Sequence, residues 1–122
     1  MRTYLNNTVK PLIPHNVLNT IKKVAKTQDA YSPDRHLFKQ TTQDDVWIPD
    51  YYEVYSLPYI YGELFPDKRA RIKKKTDDVT SSIWWLRSAY SVSHSTVVSK
   101  EGESNIRIAT TELNSICLGF CT

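Results

Sequence analysis

A chain of 122 residues, 40% hydrophobic and 24% charged, has the size and balance of one ordinary globular domain with a thin core. Its net charge of +3 is too small to imply nucleic acid as a partner, no apolar run approaches a membrane span, and MRTYLNNTVKPLIP lacks the apolar stretch of a signal peptide. The two cysteines, Cys117 and Cys121, are too few for a disulfide scaffold, and no second Cys/His pair has metal-ligand spacing.

Residues 1–15 read as an N-terminal arm. The segment NVLNTIKKVAK predicts a helix over residues 16–26, because Val17, Leu18, Ile21, Val24 and Ala25 recur at helical spacing with Lys22, Lys23 and Lys26 opposite them. Asn16 is its cap and Pro14 limits it on the N-terminal side. Residues 27–44 are polar and aperiodic and read as a loop. Val46, Trp47 and Ile48 form a short strand that Pro49 stops, since proline has no N–H for a ladder. Asp50 then caps a short helix, with Glu53 three residues on as in a capping box and Val54 and Tyr55 on the buried side.

The stretch LPYIYGELFP, residues 57–66, is too rich in turn formers for a helix. In the next segment, six of the eight residues from Lys68 to Lys75 are basic. They constitute either a polyanion-binding patch or a solvated face partly balanced by Asp67, Asp77 and Asp78. The solvated face is favoured, because no RNA-binding aromatic pattern flanks the run. From residue 83 to 120 the chain reads as the main sheet: IWWLRS is a strand, residues 95–111 a hairpin turning at Gly102, and SICLGF a final strand. The whole is an α+β plan, with helices ahead of a small antiparallel sheet.

Within IWWLRS, period-two alternation puts Trp84 and Leu86 on one face and Trp85 and Arg87 on the other. Trp84 is expected in the core. Arg87 is expected to tie loop carbonyls or a carboxylate such as Glu53 with its forked donors. Binding residues are instead expected in the polar-aromatic loops: Tyr51, Tyr52, Tyr59 and Tyr61 in one, Tyr90 and His94 in the other. Tyrosine offers rigid contact area with a hydrogen-bonding tip. Neither a Ser/His/Asp nor a Cys/His signature is present, nor a phosphate loop or dinucleotide fingerprint, so no catalytic residue and no cofactor is expected.

The segment WWLRSA, residues 84–89, resembles the WWLRSP hallmark of an uncharacterised bacterial and bacteriophage domain family. YLNNTVKPLIPHNVLNTIKKVAK, DDVWIPDYYEVY and SICLGFCT resemble that family's opening, middle and closing segments, so that the likeness spans almost all of residues 1–122 as a single domain. Ala89 replaces the hallmark proline, Ser115–Ile116 the Gly–Val opening of the last strand, and Thr122 its closing hydrophobe. Trp47, Glu53, Trp84, Trp85 and Arg87 are then the structural hallmark residues. More remotely, the order of these segments is similar to C-type-lectin-like domains, among them formylglycine-generating-enzyme relatives and the variable proteins of diversity-generating retroelements. That similarity implies a C-type-lectin-like α+β fold, with a short strand and helix ahead of a twisted sheet and ligands met by the loops above it. Since E-P-N, Q-P-D and W-N-D are all missing, a calcium-dependent sugar site is not expected, and nothing near the two cysteines matches the oxidising relatives.

These resemblances imply a non-enzymatic binding or structural module of a phage virion or a prophage-derived surface protein. It would be made in the host cytoplasm and work as an oligomer or as part of a larger assembly. Its partners would be other virion or surface subunits, or a host glycan, met through Tyr59, Tyr61, Tyr90 and His94; no membrane insertion is expected. The alternative is a polyanion-binding accessory protein using residues 68–75. If SICLGFCT is extended, four residues separate Cys117 and Cys121 by roughly 13 Å, whereas a disulfide needs Cα atoms about 4.4–6.8 Å apart. Maleimide labelling under denaturing, non-reducing conditions is therefore expected to find both thiols free; a count of none would mean a bridged turn.

Overall fold

The computed structural model describes residues 1–55, 65–108 and 114–122. The first 18 residues are mostly helical. Helix α1 (Arg2–Tyr4) continues as a π turn over Leu5–Val9 and a 3-10 turn over Lys10–Leu12, and α2 (His15–Leu18) follows Pro14. Leu5 and Ile13 anchor this arm in the core.

The helix expected over 16–26 stops at Leu18. Thr20 Oγ1 donates to Val17 O at 2.7 Å, and Lys22 N–H donates to Cys121 O at 2.8 Å, so the backbone leaves the helix for a bridge to the C-terminal segment. Residues read as a loop then form a hairpin, β1 (Val24–Tyr31) with β2 (Leu37–Asp44), paired in unbroken register from Val24–Asp44 to Tyr31–Leu37. Its turn, Ser32–His36, is closed by Arg35 N–H to Ser32 O at 2.9 Å and Ser32 N–H to His36 O at 2.9 Å. Arg35 sits there at φ 65°. That is the left-handed position of a three-residue hairpin loop, where glycine is usual; a side chain costs roughly 1–2 kcal/mol.

The expected capped helix is present as α3 (Tyr51–Tyr55): Asp50 N–H donates to Glu53 Oε2 at 2.8 Å and Tyr52 N–H to Asp50 Oδ2 at 3.3 Å. Further on, α4 (Lys68–Arg71) is capped by Asp67, and β3 (Lys73–Lys74) pairs with β4 (Ser81–Ser82). The main sheet has the order β7-β6-β5-β8, from β5 (Trp84–Ala89), β6 (His94–Val98), β7 (Ser104–Ile108) and β8 (Ser115–Ile116). The hairpin at Gly102 forms as expected: Gly102 has φ 83°, and a Cβ there would lie 2.3 Å from Lys68 O.

Two expectations for the sheet need correction. It is mixed, because β8 runs parallel to β5. The final strand also ends at Ile116; beyond it the chain makes single bridges, Gly119 to Trp47 and Cys121 to Lys22. The strand expected over 46–48 is accordingly one bridge. Gly119 is required there, since a Cβ would fall 2.7 Å from Trp47 Nε1. Both thiols are free; Cys117 is partly buried and Cys121 is exposed.

The sheet is covered on both sides, as the alternation of β5 requires. Trp85 packs with Leu5, Ile13, Val46, Ile48 and Val97. Trp84 and Leu86 pack with Val54, Phe65 and Val98 on the other side. Trp84 is fully buried, stacks on Phe65 with centroids 5.8 Å apart, and donates from Nε1 to Arg71 O at 2.9 Å. Trp84→Ala should therefore cost about 3–5 kcal/mol, as large-to-small core changes of this kind do. Urea denaturation measures it; a loss under about 1 kcal/mol would remove Trp84 from the core.

Candidate binding cleft

Between Trp85–Val97 and Ala89–Ser95 the β5–β6 register shifts, with four steps on β5 against two on β6. In this bulge Arg87 N–H turns from β6 to Pro49 O, at 2.8 Å. The Arg87 side chain then reaches three segments. Nε donates to Gln28 Oε1 at 2.9 Å, Nη1 to Ile48 O at 2.6 Å and Glu53 Oε2 at 3.3 Å, and Nη2 to Thr27 O at 3.4 Å. Lys26 Nζ donates to Glu53 Oε1 at 3.1 Å and lies 4.2 Å from the Trp47 ring centroid. Trp47, Glu53 and Arg87 thus form one cluster, Trp47 and Glu53 buried and Arg87 partly so, while Trp84 and Trp85 lie in the two cores.

Burial alone would raise the Glu53 carboxyl. The Asp50 N–H, Arg87 and Lys26 outweigh it and hold the group below its ordinary value. Beside it Ser88 Oγ donates to the buried Asp50 carboxylate and accepts from Tyr51 N–H at 2.8 Å. This network sets the start of α3 and the departure of the chain after β5.

Above it lies a cleft of about 650 Å³. Tyr31 from the end of β1, Tyr51 and Tyr52 from α3, and Tyr90 from the turn after β5 line it, with Asp29 and Ser88 among its polar groups. Tyr52 and Tyr90 are about half exposed, and Tyr51 and Tyr52 meet edge-on with centroids 5.5 Å apart. Lys39 pairs with Asp29 and stands 5.2 Å from the Tyr52 ring centroid. Tyr31 also borders an adjoining hollow of about 430 Å³ that contains His94.

Of the residues expected to bind, Tyr90 and His94 are thus on neighbouring walls, and Tyr59 and Tyr61 lie outside the described residues. Tyr31 was missed by the sequence reading. Its signal was S-P-D at 32–34, a turn sequence that would have placed the tyrosine at a strand end. A separate cavity of about 520 Å³ lies under the hairpin, where the polar groups are committed to each other: Arg2 to Asp44 and Arg87 to Gln28.

The basic run is half absorbed by the fold. Lys68 pairs with Glu103 at 2.7 Å, Arg71 Nε donates to Gly102 O at 2.9 Å, and Lys73 lies 5.1 Å from the Phe65 centroid. Arg71 also stands 4.8 Å from the Tyr55 centroid. Burial pushes the Tyr55 hydroxyl up to about 12 against the opposing Arg71 charge, and burial likewise raises the Cys117 thiol. Among the described residues no three His, Cys, Asp or Glu side chains group as metal ligands, and no helix is long and apolar enough to cross a membrane.

The fold and cleft define a small α+β domain that presents aromatic loops on a two-faced sheet. The chain belongs to the family described as a domain of unknown function, DUF6273, whose pattern it matches over residues 1–116. No curated protein and no solved structure matches the chain.

The Glu53–Arg87 pair makes two linked predictions. Arg87→Met should destabilise the domain by about 3–5 kcal/mol at neutral pH, because it leaves the buried Glu53 carboxylate with Lys26 as its remaining cation and removes the donors to Gln28, Thr27 and Ile48 O. Glu53 titrates below its ordinary value of 4.5 when folded, so its contribution is full above that pH and is lost as pH falls through the lower folded value. Glu53→Gln should therefore lower stability at pH 7 and flatten the acid arm of the stability profile, as read by urea titrations across pH; an unchanged acid arm would contradict this.

Proposed function

We propose that the domain is a binding module without chemistry of its own, and that its ligand enters the cleft between α3 and the turn after β5. One observation carries this: four tyrosines from three separate segments line a single cleft on a framework held by buried hydrogen bonds. Rigid aromatic area with hydroxyl tips suits saccharide faces and protein side chains alike. Loops carrying the contacts above a packed sheet is the usual division between recognition and scaffold.

In this reading the fold is C-type-lectin-like. The Trp47 bridge, the capped α3 and the small four-stranded sheet support that assignment, with the cleft on the loop side. The WWLRSA resemblance supports a place in a phage virion or a prophage-derived surface protein, contacting neighbouring subunits or a host glycan. The basic run supports the polyanion alternative less well, because Lys68, Arg71 and Lys73 are already engaged.

The double variant Tyr52→Ala/Tyr90→Ala removes two half-exposed rings and should change stability by no more than about 0.5 kcal/mol per site. It should abolish cosedimentation with phage particles or bacterial cells. Retained association, lost instead on neutralising Arg69, Lys74 and Lys75, would favour the polyanion reading.

A further inference from the structure

We infer that the hollow at the outer end of the cleft holds the anion of an acidic sugar residue, with Arg35 as its charged contact. This deepens the binding role proposed above and rests on it. The hollow is bordered by Tyr31, Arg35, Ser91, Val92, Ser93 and His94, so none of its lining side chains is acidic. Asp34, next to Arg35 in the turn, does not line it. Arg35 is exposed, and its guanidinium makes no hydrogen bond or ion pair with the described residues. Ser93 Oγ lies 2.8 Å and Ser91 Oγ 3.3 Å from His94 Nδ1, which fixes the ring and leaves Nε2 for a ligand.

The backbone supplies an independent argument. Arg35 occupies a left-handed position that glycine would fill without strain. A strained residue with an unengaged side chain points to a role for that side chain. A planar fork of donors, flanked by hydroxyls and an imidazole, matches a carboxylate or phosphate. A hollow of about 430 Å³ exceeds what a bare inorganic anion needs, and it shares Tyr31 as a wall with the tyrosine-lined cleft. With Arg35 the one unpaired arginine or lysine among the described residues that line the hollow, one charged group on an otherwise neutral chain fits better than a polyanion.

The test is a glycan array carrying neutral, carboxylated and phosphorylated saccharides, probed with the full chain. Signal confined to acidic members is expected, and the split between carboxylated and phosphorylated members identifies the anion. Arg35→Gly should keep or raise the melting temperature while weakening acidic binders about tenfold or more, the effect of one charge-assisted hydrogen bond. Arg35→Gln, which keeps an amide donor on a shorter side chain but loses the charge and the fork, should weaken them likewise. Binding of neutral members with equal strength, undiminished binding by Arg35→Gly, or no array signal overturns the inference. If neutral binding persists and Tyr52→Ala/Tyr90→Ala abolishes it, the cleft stands and only its anionic end falls. Absence of array signal with retained, tyrosine-dependent association with particles would direct the cleft to a protein partner.

Discussion

The Arg87 guanidinium is the contact on which the rest of this structure depends. Its side chain is 9% exposed, and it holds together the β1–β2 hairpin through Gln28 and Thr27, the segment before α3 through Ile48 O, and α3 itself through Glu53. A buried cation is tolerated only where its donors are met, and here the surrounding oxygens come from parts of the chain distant in sequence. A lysine would supply charge without the fork and could not span these partners. Because the hairpin brings little apolar surface to its inner side, polar ties of this kind attach it to the body. Arg2 to Asp44 and Lys26 to Glu53 are two more.

The bulge in β5 makes this arrangement possible. A regular strand would commit the Arg87 N–H to a neighbouring strand; the register shift frees it for Pro49 O and releases Ser88 to hold Asp50 and Tyr51. The same few residues therefore end the regular pairing, start α3 and aim the chain toward Tyr90. Ahead of the bulge the strand stays conventional, sending Trp84 and Trp85 into opposite cores. Packing and polar geometry are thus separated along one strand, with apolar residues first and the network after.

For the cleft, this means tyrosines mounted on elements whose backbone groups are already satisfied. Tyr51 and Tyr52 begin a capped helix, and Tyr31 ends a fully paired strand. Ordering such side chains on binding costs little, since their supports do not have to fold. The hairpin contributes both a wall of the cleft and, at its turn, the strained Arg35. Its docking through Arg87 therefore links the buried network to the outermost part of the proposed recognition surface.

Local rules acting over a few residues were legible in the sequence. The capping box at Asp50 and Glu53, the alternation of Trp84 and Trp85, the pairing of Arg87 with Glu53 and the turn at Gly102 all follow from spacing and side-chain chemistry. The hairpin over residues 24–44 did not follow. Its inward positions are Lys26, Gln28 and Asp44, chosen to meet charged partners, so the apolar alternation that marks a strand is missing. The apolar spacing of Val17, Leu18 and Ile21 was real, but it serves packing against the first core, and the next residues leave the helix for the bridge at Lys22. The parallel placement of β8 and the convergence of Tyr31, Tyr51, Tyr52 and Tyr90 were likewise decided by tertiary structure. Contacts between residues tens of positions apart leave no periodic trace in a chain, and only the packed fold brings such residues to one wall.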